Sequence, residues 1–455
     1  MNLERVSAAL GPAEIVSGAP VEIRDLAYDT RAVGPGALFF CVPGSRTDGH
    51  DFAAQAVAAG AVALVVERSL DLQVPQLVVP SVRRAMAAAA VLFFGDPSAE
   101  LTVAAVTGTN GKTTSAFLLR SILEAAGRRP GVLTNIERRV GGWVRPTGLN
   151  TPEAIDLQRL FREMLEAGDR SCVMEATSIA AAQGRLDGTR FAVLLFTNLT
   201  QDHLDFHGTM EGYFAAKRAL FDQAAHAVVN VEDEWGKRLA QELPHARTFT
   251  PDDDLGEIDL HLRGRFNRAN ALGAIAAARE LDVPEAAIRT GIERVRGVPG
   301  RFESVDEGQP FAVIVDYAHT PDSLENVLRT ARTLGEGRLV VVFGAGGDRD
   351  REKRPLMGKI AAGLADRAIV TTDNPRTEEP AEIAAEVASG APGSLEVIVN
   401  RADAIDIAIG DARAGDIVVI AGKGADTEME LAGYSIPFDD KEVAREALRR
   451  APAAS

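Results

Sequence analysis

The sequence predicts an α/β fold arranged in three successive blocks, and three observations predict it. Apolar strand-like runs alternate with helix-like stretches from about Val21 onward, the pattern of parallel sheets covered on both faces. The 455 residues exceed one ordinary domain, and 46% apolar with 25% charged residues is a composition able to bury several cores. Turn-forming stretches at Gly95–Glu100 and Gly297–Gly300 divide the chain into residues 1–98, 99–297 and 298–455.

In the first block "ALFFCVPG" and "AVALVVE" read as buried strands, with a helix through Phe52 to Ala59 between them. The second block opens with an apolar strand, Leu101 to Val106. A glycine-containing loop follows it, then a helix from Thr113 to about Ala126, where Leu118, Leu119, Ile122 and Leu123 recur at helical spacing. Further strands fall at "SCVMEA" and "FAVLLFTNL", and helices at Tyr213 to Phe221 and "NRANALGAIAAARELD". The third block repeats strand and helix through "FAVIVDYA", "RLVVVFGAGG", "RAIVTTD" and "DIVVIAGKG", a second doubly wound unit.

The bulk composition excludes several classes. A formal net charge of −16, from 49 basic and 65 acidic residues, disfavours nucleic acid and anionic membrane as partners. Two cysteines, Cys41 and Cys172, lie far apart in apolar runs, which speaks against a disulfide framework or a zinc site. Met1 to Leu10 does not have the pattern of a secretory signal, and no run has the length of a membrane span. The expectation is a cytoplasmic protein without membrane insertion.

The strongest local signal is Gly108-Thr109-Asn110-Gly111-Lys112-Thr113-Thr114, delivered by a strand and leaving into a helix. Backbone N–H groups and the helix N-terminus then converge on an anion, with Lys112 against the outer phosphates and the Thr113 hydroxyl on Mg²⁺. The alternative is a tight turn that needs glycine for φ > 0, and Lys-Thr-Thr at the helix start weighs against it. Val106 stands where the longer phosphate loop has its first glycine, so a shorter loop and a particular subset of ATP enzymes are expected. Glu175 ends one strand, and Asn198, Asp202, His203, Asp205 and His207 follow another. Strand C-termini of an open α/β sheet face the ligand crevice, where a carboxylate binds a hard cation. Singly, each of these residues is equally well a turn or surface group.

With these motifs, the chain resembles the Mur ligases, specifically the branch that adds the third residue of the peptidoglycan stem peptide. The likeness runs through "YDTRAVGPGALFFCVPG", "GTNGKTT", "NTPEAIDLQRLF", "AQGRLDG", "TNLTQDHLDFHGTMEGYFAAKRALF", "FNRANALGA", "GVPGRFE", "VDYAHTPDSLENVL", "GAGGDRDREKRPLMG", "TTDNPRTEEP" and "PFDDKEVAREAL". The resemblance implies a UDP-sugar-binding domain, a central P-loop ATPase domain on a parallel sheet, and a C-terminal Rossmann-like domain carrying the incoming amino acid. It implies an ATP- and Mg²⁺-dependent, ADP-forming ligation of meso-diaminopimelate to UDP-MurNAc-L-Ala-D-Glu through an acyl phosphate, by a monomer. It assigns Lys112, Glu175, His203 and Lys217 to catalysis, with Thr113, Glu175, His203 and a carbamylated Lys217 as metal ligands. Residues 108–114 with Asn270, Arg301, Asp316 and His319 match nucleotide-binding positions. Thr30, Arg31, Asn150, Thr151, Thr177, Ser178, Gln183 and Arg185 match contacts to the UDP-substrate. By position alone, Lys217 reads as a residue on the surface of its helix.

For the amine, the resemblance points to Arg349, Asp373, Asn374, Pro375, Arg376, Gly422 and Asp426. A planar guanidinium at Arg376 suits the distal carboxylate that distinguishes diaminopimelate from lysine, whereas in isolation it reads as a solvated loop residue. Three departures stand against the family pattern. Thr177-Ser178-Ile179 replaces Ser-Ser-His, Gly422-Lys423-Gly424-Ala425-Asp426 replaces Gly-Lys-Gly-His-Glu, and the span before "GRFNRAN" is shortened. They keep two alternatives open: a paralogue using L-lysine, another amino acid or another acceptor, and a catalytically silent cell-wall nucleotide sensor.

Overall fold

The computed structural model describes residues 1–10, 14–16, 20–44 and 47–450. Its contacts separate into two compact units, Met1–Thr107 with Gly127–Leu194 and Ala216–Ala227, and Gly108–Ala126 with Leu195–Ala215 and Val228–Ser455.

The first unit holds a five-stranded sheet in the order 14–16, 76–78, 61–66, 37–40, 25–27, parallel except for the antiparallel first strand. Leu38, Phe40, Ala63 and Val65 turn one face to the helix Val82–Phe94, while Phe39, Leu64 and Val66 turn the other to the helix Ala53–Ala58. That alternation is the period-two consequence of a sheet buried on both sides. Ser81 caps the long helix through Arg84 N–H, and Gly95 at φ 75° ends it. The turn-forming stretch Gly95–Glu100 holds the short 3-10 helix Pro97–Ala99, with Pro97 and Ser98 buried. Ser98 Oγ there accepts a hydrogen bond from Arg190 N–H at 3.1 Å.

Within this unit a second sheet runs through the strands 102–107, 171–175, 130–133, 138–140 and 143–145, in that order. The strand Ser171–Glu175 pairs in parallel with Thr102–Thr107 on one side and Pro130–Leu133 on the other. The last two strands are an antiparallel edge.

In the second unit a six-stranded sheet runs 303–304, 312–316, 417–421, 339–343, 367–370, 396–397, parallel apart from its first strand. Its central strands are buried along their whole length, Val340 and Val342 facing one layer of helices and Leu339, Val341 and Phe343 the other. The chain crosses from 312–316 to 339–343 and only later fills the place between them with 417–421. Loops at the carboxyl ends therefore diverge around a crevice, where ligands of doubly wound sheets bind. The helices Lys112–Ala125, Arg265–Glu280 and Glu285–Arg294 belong to the same unit. The hairpin Glu428–Leu431 with Tyr434–Pro437 had no counterpart in the sequence reading.

Candidate active site

The helix Lys112–Ala125 starts at Gly111, whose φ of 85° and lack of a side chain are both required. A Cβ there would lie 2.2 Å from Asn270 Oδ1, and one at Gly108 would lie 1.9 Å from Thr197 Oγ1. The loop is thus pressed between a helix and a strand end, with its first-turn N–H groups lacking intrahelical partners. Thr109 N–H donates to Asn198 O at 2.9 Å, Asn110 N–H to Asn198 Oδ1 at 2.9 Å, and Thr197 Oγ1 to Asn110 O at 2.6 Å. Lys112 Nζ donates to Gly108 O and Thr109 O at 3.0 and 2.8 Å. A Gly-lined cradle at a helix N-terminus with a lysine folded over it fits a polyphosphate.

C-terminal elements of the same unit sit on this loop. Arg301 Nη2 donates to Thr113 Oγ1 at 2.8 Å, and its guanidinium lies 4.3 Å from the centre of the Tyr317 ring. Asn110 Nδ2 donates to Asp322 Oδ2 at 2.8 Å. Asn270 accepts from Ser115 Oγ at 3.4 Å. Asp316, at the end of its strand, accepts Phe302 N–H and Ala318 N–H at 2.6 and 2.7 Å. Burial pushes its carboxyl up, and Arg301 opposes the shift. Phe302, directly after Arg301, has φ 50°.

His203 is held at φ 55°, with Nε2 3.4 Å from Asp202 Oδ2. Asp202 also faces His319 Nε2 at 3.8 Å and Lys353 Nζ at 3.7 Å. Burial alone would raise this carboxyl, but the imidazole of His319, then His203 and Lys353, hold it well below its ordinary value. Lys353, which no local sequence signal pointed to, thus joins Asp202, His203 and His319 in one cluster of charged side chains.

The amine candidates gather at the carboxyl ends of the second unit's sheet. Asp373, Asn374 and Pro375 are buried, and Arg376 at φ 53° donates from Nε to Glu430 Oε2 at 2.6 Å and from Nη1 to Gly347 O at 2.8 Å. Arg376 is therefore a held group rather than a solvated one. Gly422 approaches so closely that a Cβ would lie 2.3 Å from Asp373 Oδ2. Lys423, fully buried, donates to Asn374 Oδ1 at 3.0 Å. Burial lowers its pKa and raises that of half-buried Asp426. Arg349 is exposed and donates to Asp348 O at 2.9 Å.

The first unit carries the candidates for the UDP-substrate. Thr151 Oγ1 bonds Glu175 O at 2.9 Å and Thr177 Oγ1 at 3.1 Å. Arg185 donates to Thr151 O at 3.1 Å and Gln183 Oε1 at 2.6 Å, and pairs with Glu153 at 3.0 Å. Ser178 is buried beside this group in sequence, and Asn150 is exposed. Thr30 and Arg31 form a turn capped by Asp29, with Arg31 on the surface. Tyr28, two residues before, donates to Asp156 Oδ2 at 2.6 Å on the helix that follows Thr151. Glu175 is buried at its strand end and accepts Asn135 N–H at 3.4 Å. Lys217 is 1% exposed, not a surface residue. On the helix Met210–Arg218 it shares a face with Tyr213 and Phe214, four and three residues earlier and both buried.

Among the described residues no three His, Cys, Asp or Glu side chains gather as a cation cage. Glu175 in the first unit and Thr113 in the second each carry a hard oxygen of the kind that suits Mg²⁺.

Three family models match the chain: "Mur ligase family, catalytic domain" over residues 22–112, "Mur ligase middle domain" over 106–250, and "Mur ligase, glutamate ligase domain" over 300–424. The chain is 44% identical to the UDP-N-acetylmuramoyl-L-alanyl-D-glutamate–2,6-diaminopimelate ligase of Solibacter usitatus, across 95% of this chain and 94% of that one. It is 42% identical to the protein of the same name from Geobacillus thermodenitrificans, across 99% of both. A solved structure of a ligase with that name matches 97% of this chain and 98% of its own at 31% identity and a TM-score of 0.64. The MurF ligase of Thermotoga maritima, solved with ADP, shares the fold at 20% identity and a TM-score of 0.65, covering 94% of this chain and 97% of its own.

Proposed function

The chain belongs to the Mur ligase family, with its three-domain α/β architecture, and from that premise we propose that it joins meso-diaminopimelate to UDP-MurNAc-L-Ala-D-Glu in an ATP-dependent, ADP-forming ligation. The observation that carries the reading is the seating of C-terminal elements on the phosphate loop, through Arg301 on Thr113 and Asp322 on Asn110. A ligase has to bring an amine to a carboxylate that has just been phosphorylated, so nucleotide loop and amine loops belong on one body.

A carboxylate is a poor electrophile until it carries a phosphoryl leaving group. Its attack on the γ-phosphate brings two anions together, and Lys112 with the helix N-terminus supplies the compensating charge. Mg²⁺, held by Thr113, Glu175, His203 and a carbamylated Lys217 together with phosphate oxygens, would neutralise further charge there. Thr151, Thr177, Gln183 and Arg185, with Thr30, Arg31, Asn150 and Ser178, hold the UDP-linked acceptor. Asn270, Arg301, Asp316 and His319 position the nucleotide. Arg376 and Asn374 grip the distal end of the amine, with Arg349, Asp373, Pro375, Gly422 and Asp426 around it, and its near amine attacks the acyl phosphate. The soluble nucleotide substrates suit a cytoplasmic enzyme acting as a monomer.

Phosphate release with ATP·Mg²⁺ and the UDP-dipeptide tests the reading, with diaminopimelate, L-lysine or no amine added. Release that requires diaminopimelate is the expected result. Release indifferent to the amine, or none with any amine, would overturn it.

A further inference from the structure

The loop Asp373–Arg376 and the hairpin that starts at Glu428 are laced together. Asn374 Oδ1 accepts hydrogen bonds from Lys423 Nζ and from Glu430 N–H, each at 3.0 Å. Both acceptor positions of that oxygen are then used, so the amide NH₂ is the edge left for a ligand. Arg376 N–H donates to Glu430 O at 3.1 Å, and its Nε to Glu430 Oε2 at 2.6 Å. Gly347 O takes one Nη1 proton at 2.8 Å. Among the described residues nothing hydrogen-bonds Arg376 Nη2, Asn374 Nδ2 or Glu430 Oε1. The guanidinium is thus fixed along one edge and offers its Nη1–Nη2 end to a carboxylate. Arg376 is 19% exposed and Glu430 52%, so the carboxylate stands toward solvent beside the fork.

A donor fork, an NH₂ and a carboxylate in one patch complement an amino-acid centre, which carries one carboxylate and one ammonium. Of the neighbouring carboxylates, Asp373 is 6% exposed and packed against Gly422, and Asp426 is half-buried, whereas Glu430 stands toward solvent beside the fork and is ion-paired to it. We infer that Glu430 is a specificity-determining residue of the amine site, accepting the ammonium of the substrate's distal amino-acid centre while it keeps Arg376 turned to that centre's carboxylate. The inference rests on the ligase reading and adds the group that tells a distal amino acid from a distal simple acid.

The test compares wild type with Glu430→Gln, which keeps the side chain's shape and removes its charge. The amines are diaminopimelate and 2-aminopimelate, which has the distal carboxylate but no distal ammonium. Wild type should prefer diaminopimelate in kcat/KM by about tenfold or more, the effect of one hydrogen bond to a charged group. Glu430→Gln should lose most of that preference by raising KM for diaminopimelate about tenfold, with KM for ATP and the melting curve nearly unchanged. Glu430→Asp should recover part of it. An unchanged preference overturns the inference. So does an equal loss with both amines, which would make Glu430 only a brace for Arg376. Improved use of diaminopimelate also overturns it, by showing that Glu430 competes with substrate. Ligation by wild type with any of these outcomes leaves the ligase reading standing, whereas no amine-dependent phosphate release by wild type removes both.

Discussion

Lys112 shows how much of the proposed chemistry rides on one side chain. Its ammonium rests on the carbonyls of Gly108 and Thr109, so the charge is already at the loop before any phosphate arrives. Preorganised charge of this kind is worth more than a mobile lysine, because no reorganisation is needed during reaction. Lys112→Ala removes it without touching the buried side of the helix, where Leu118, Leu119, Ile122 and Leu123 pack. We expect phosphate release to fall by at least about a hundredfold, the usual effect of losing one such group, with the thermal midpoint close to wild type. Near-normal turnover would remove the phosphate-loop assignment. A loss of folding would instead mean that the loop needs its own lysine to stay closed.

At the scale of elements, the phosphate-binding helix is placed by what packs behind it. The helix Glu285–Arg294 approaches the helix Lys112–Ala125 so closely that a Cβ on Gly291 would sit 2.4 Å from Ile122 Cα. Ser121 Oγ bonds Gly291 O across the same contact at 2.7 Å. Backbone cannot yield there as a flexible side chain could, so Gly291→Ala should cost about 1–3 kcal/mol by overpacking. Denaturant unfolding measures it, and a neutral result would show that the two helices can separate freely. Such contacts explain what the sequence could disclose and what it could not. The strand, loop and helix of residues 101–126 were readable because buried runs, glycines and helical spacing are local signals. The four long parallel strands after Phe311 were readable for the same reason. Lys217 could have been placed inward by its spacing from Tyr213 and Phe214, but one lysine among alanines gave no warning. Glu430 and Lys423 act through Arg376 and Asn374, about fifty residues away, and no local pattern announces a partner at that distance. The same holds for the fully buried pair Arg401–Asp440, which ties the segments after two separate strands through Thr372 O and Ala421 O.

For the whole molecule, two electrostatic effects oppose each other as pH falls. A net charge of −16 at pH 7 means self-repulsion, and mild acid relieves it. Against this stand carboxylates that the fold holds ionised. Arg354 is fully buried and donates to Glu378 from Nη2 at 2.8 Å and from Nη1 at 2.9 Å, while Glu386 takes a further bond at 2.7 Å. The Arg354 hydrogen bonds lower the Glu378 carboxyl from 4.5 to about 2. Since the folded value lies below the unfolded one, its contribution is complete above about pH 5 and is lost as pH falls toward 2. Glu378 also accepts Asp348 N–H at 2.6 Å, so its protonation loosens two loops at the amine end of the sheet together. Stability should therefore hold or rise slightly from pH 7 to about 5, where relief of repulsion dominates, and then fall steeply. Glu378→Gln should lower stability at pH 7 by roughly 1–3 kcal/mol, the worth of hydrogen bonds to a charged group, and flatten the decline between pH 5 and 2. Denaturant midpoints of both proteins across that range decide it, and parallel curves would mean that the acid transition belongs to other carboxylates.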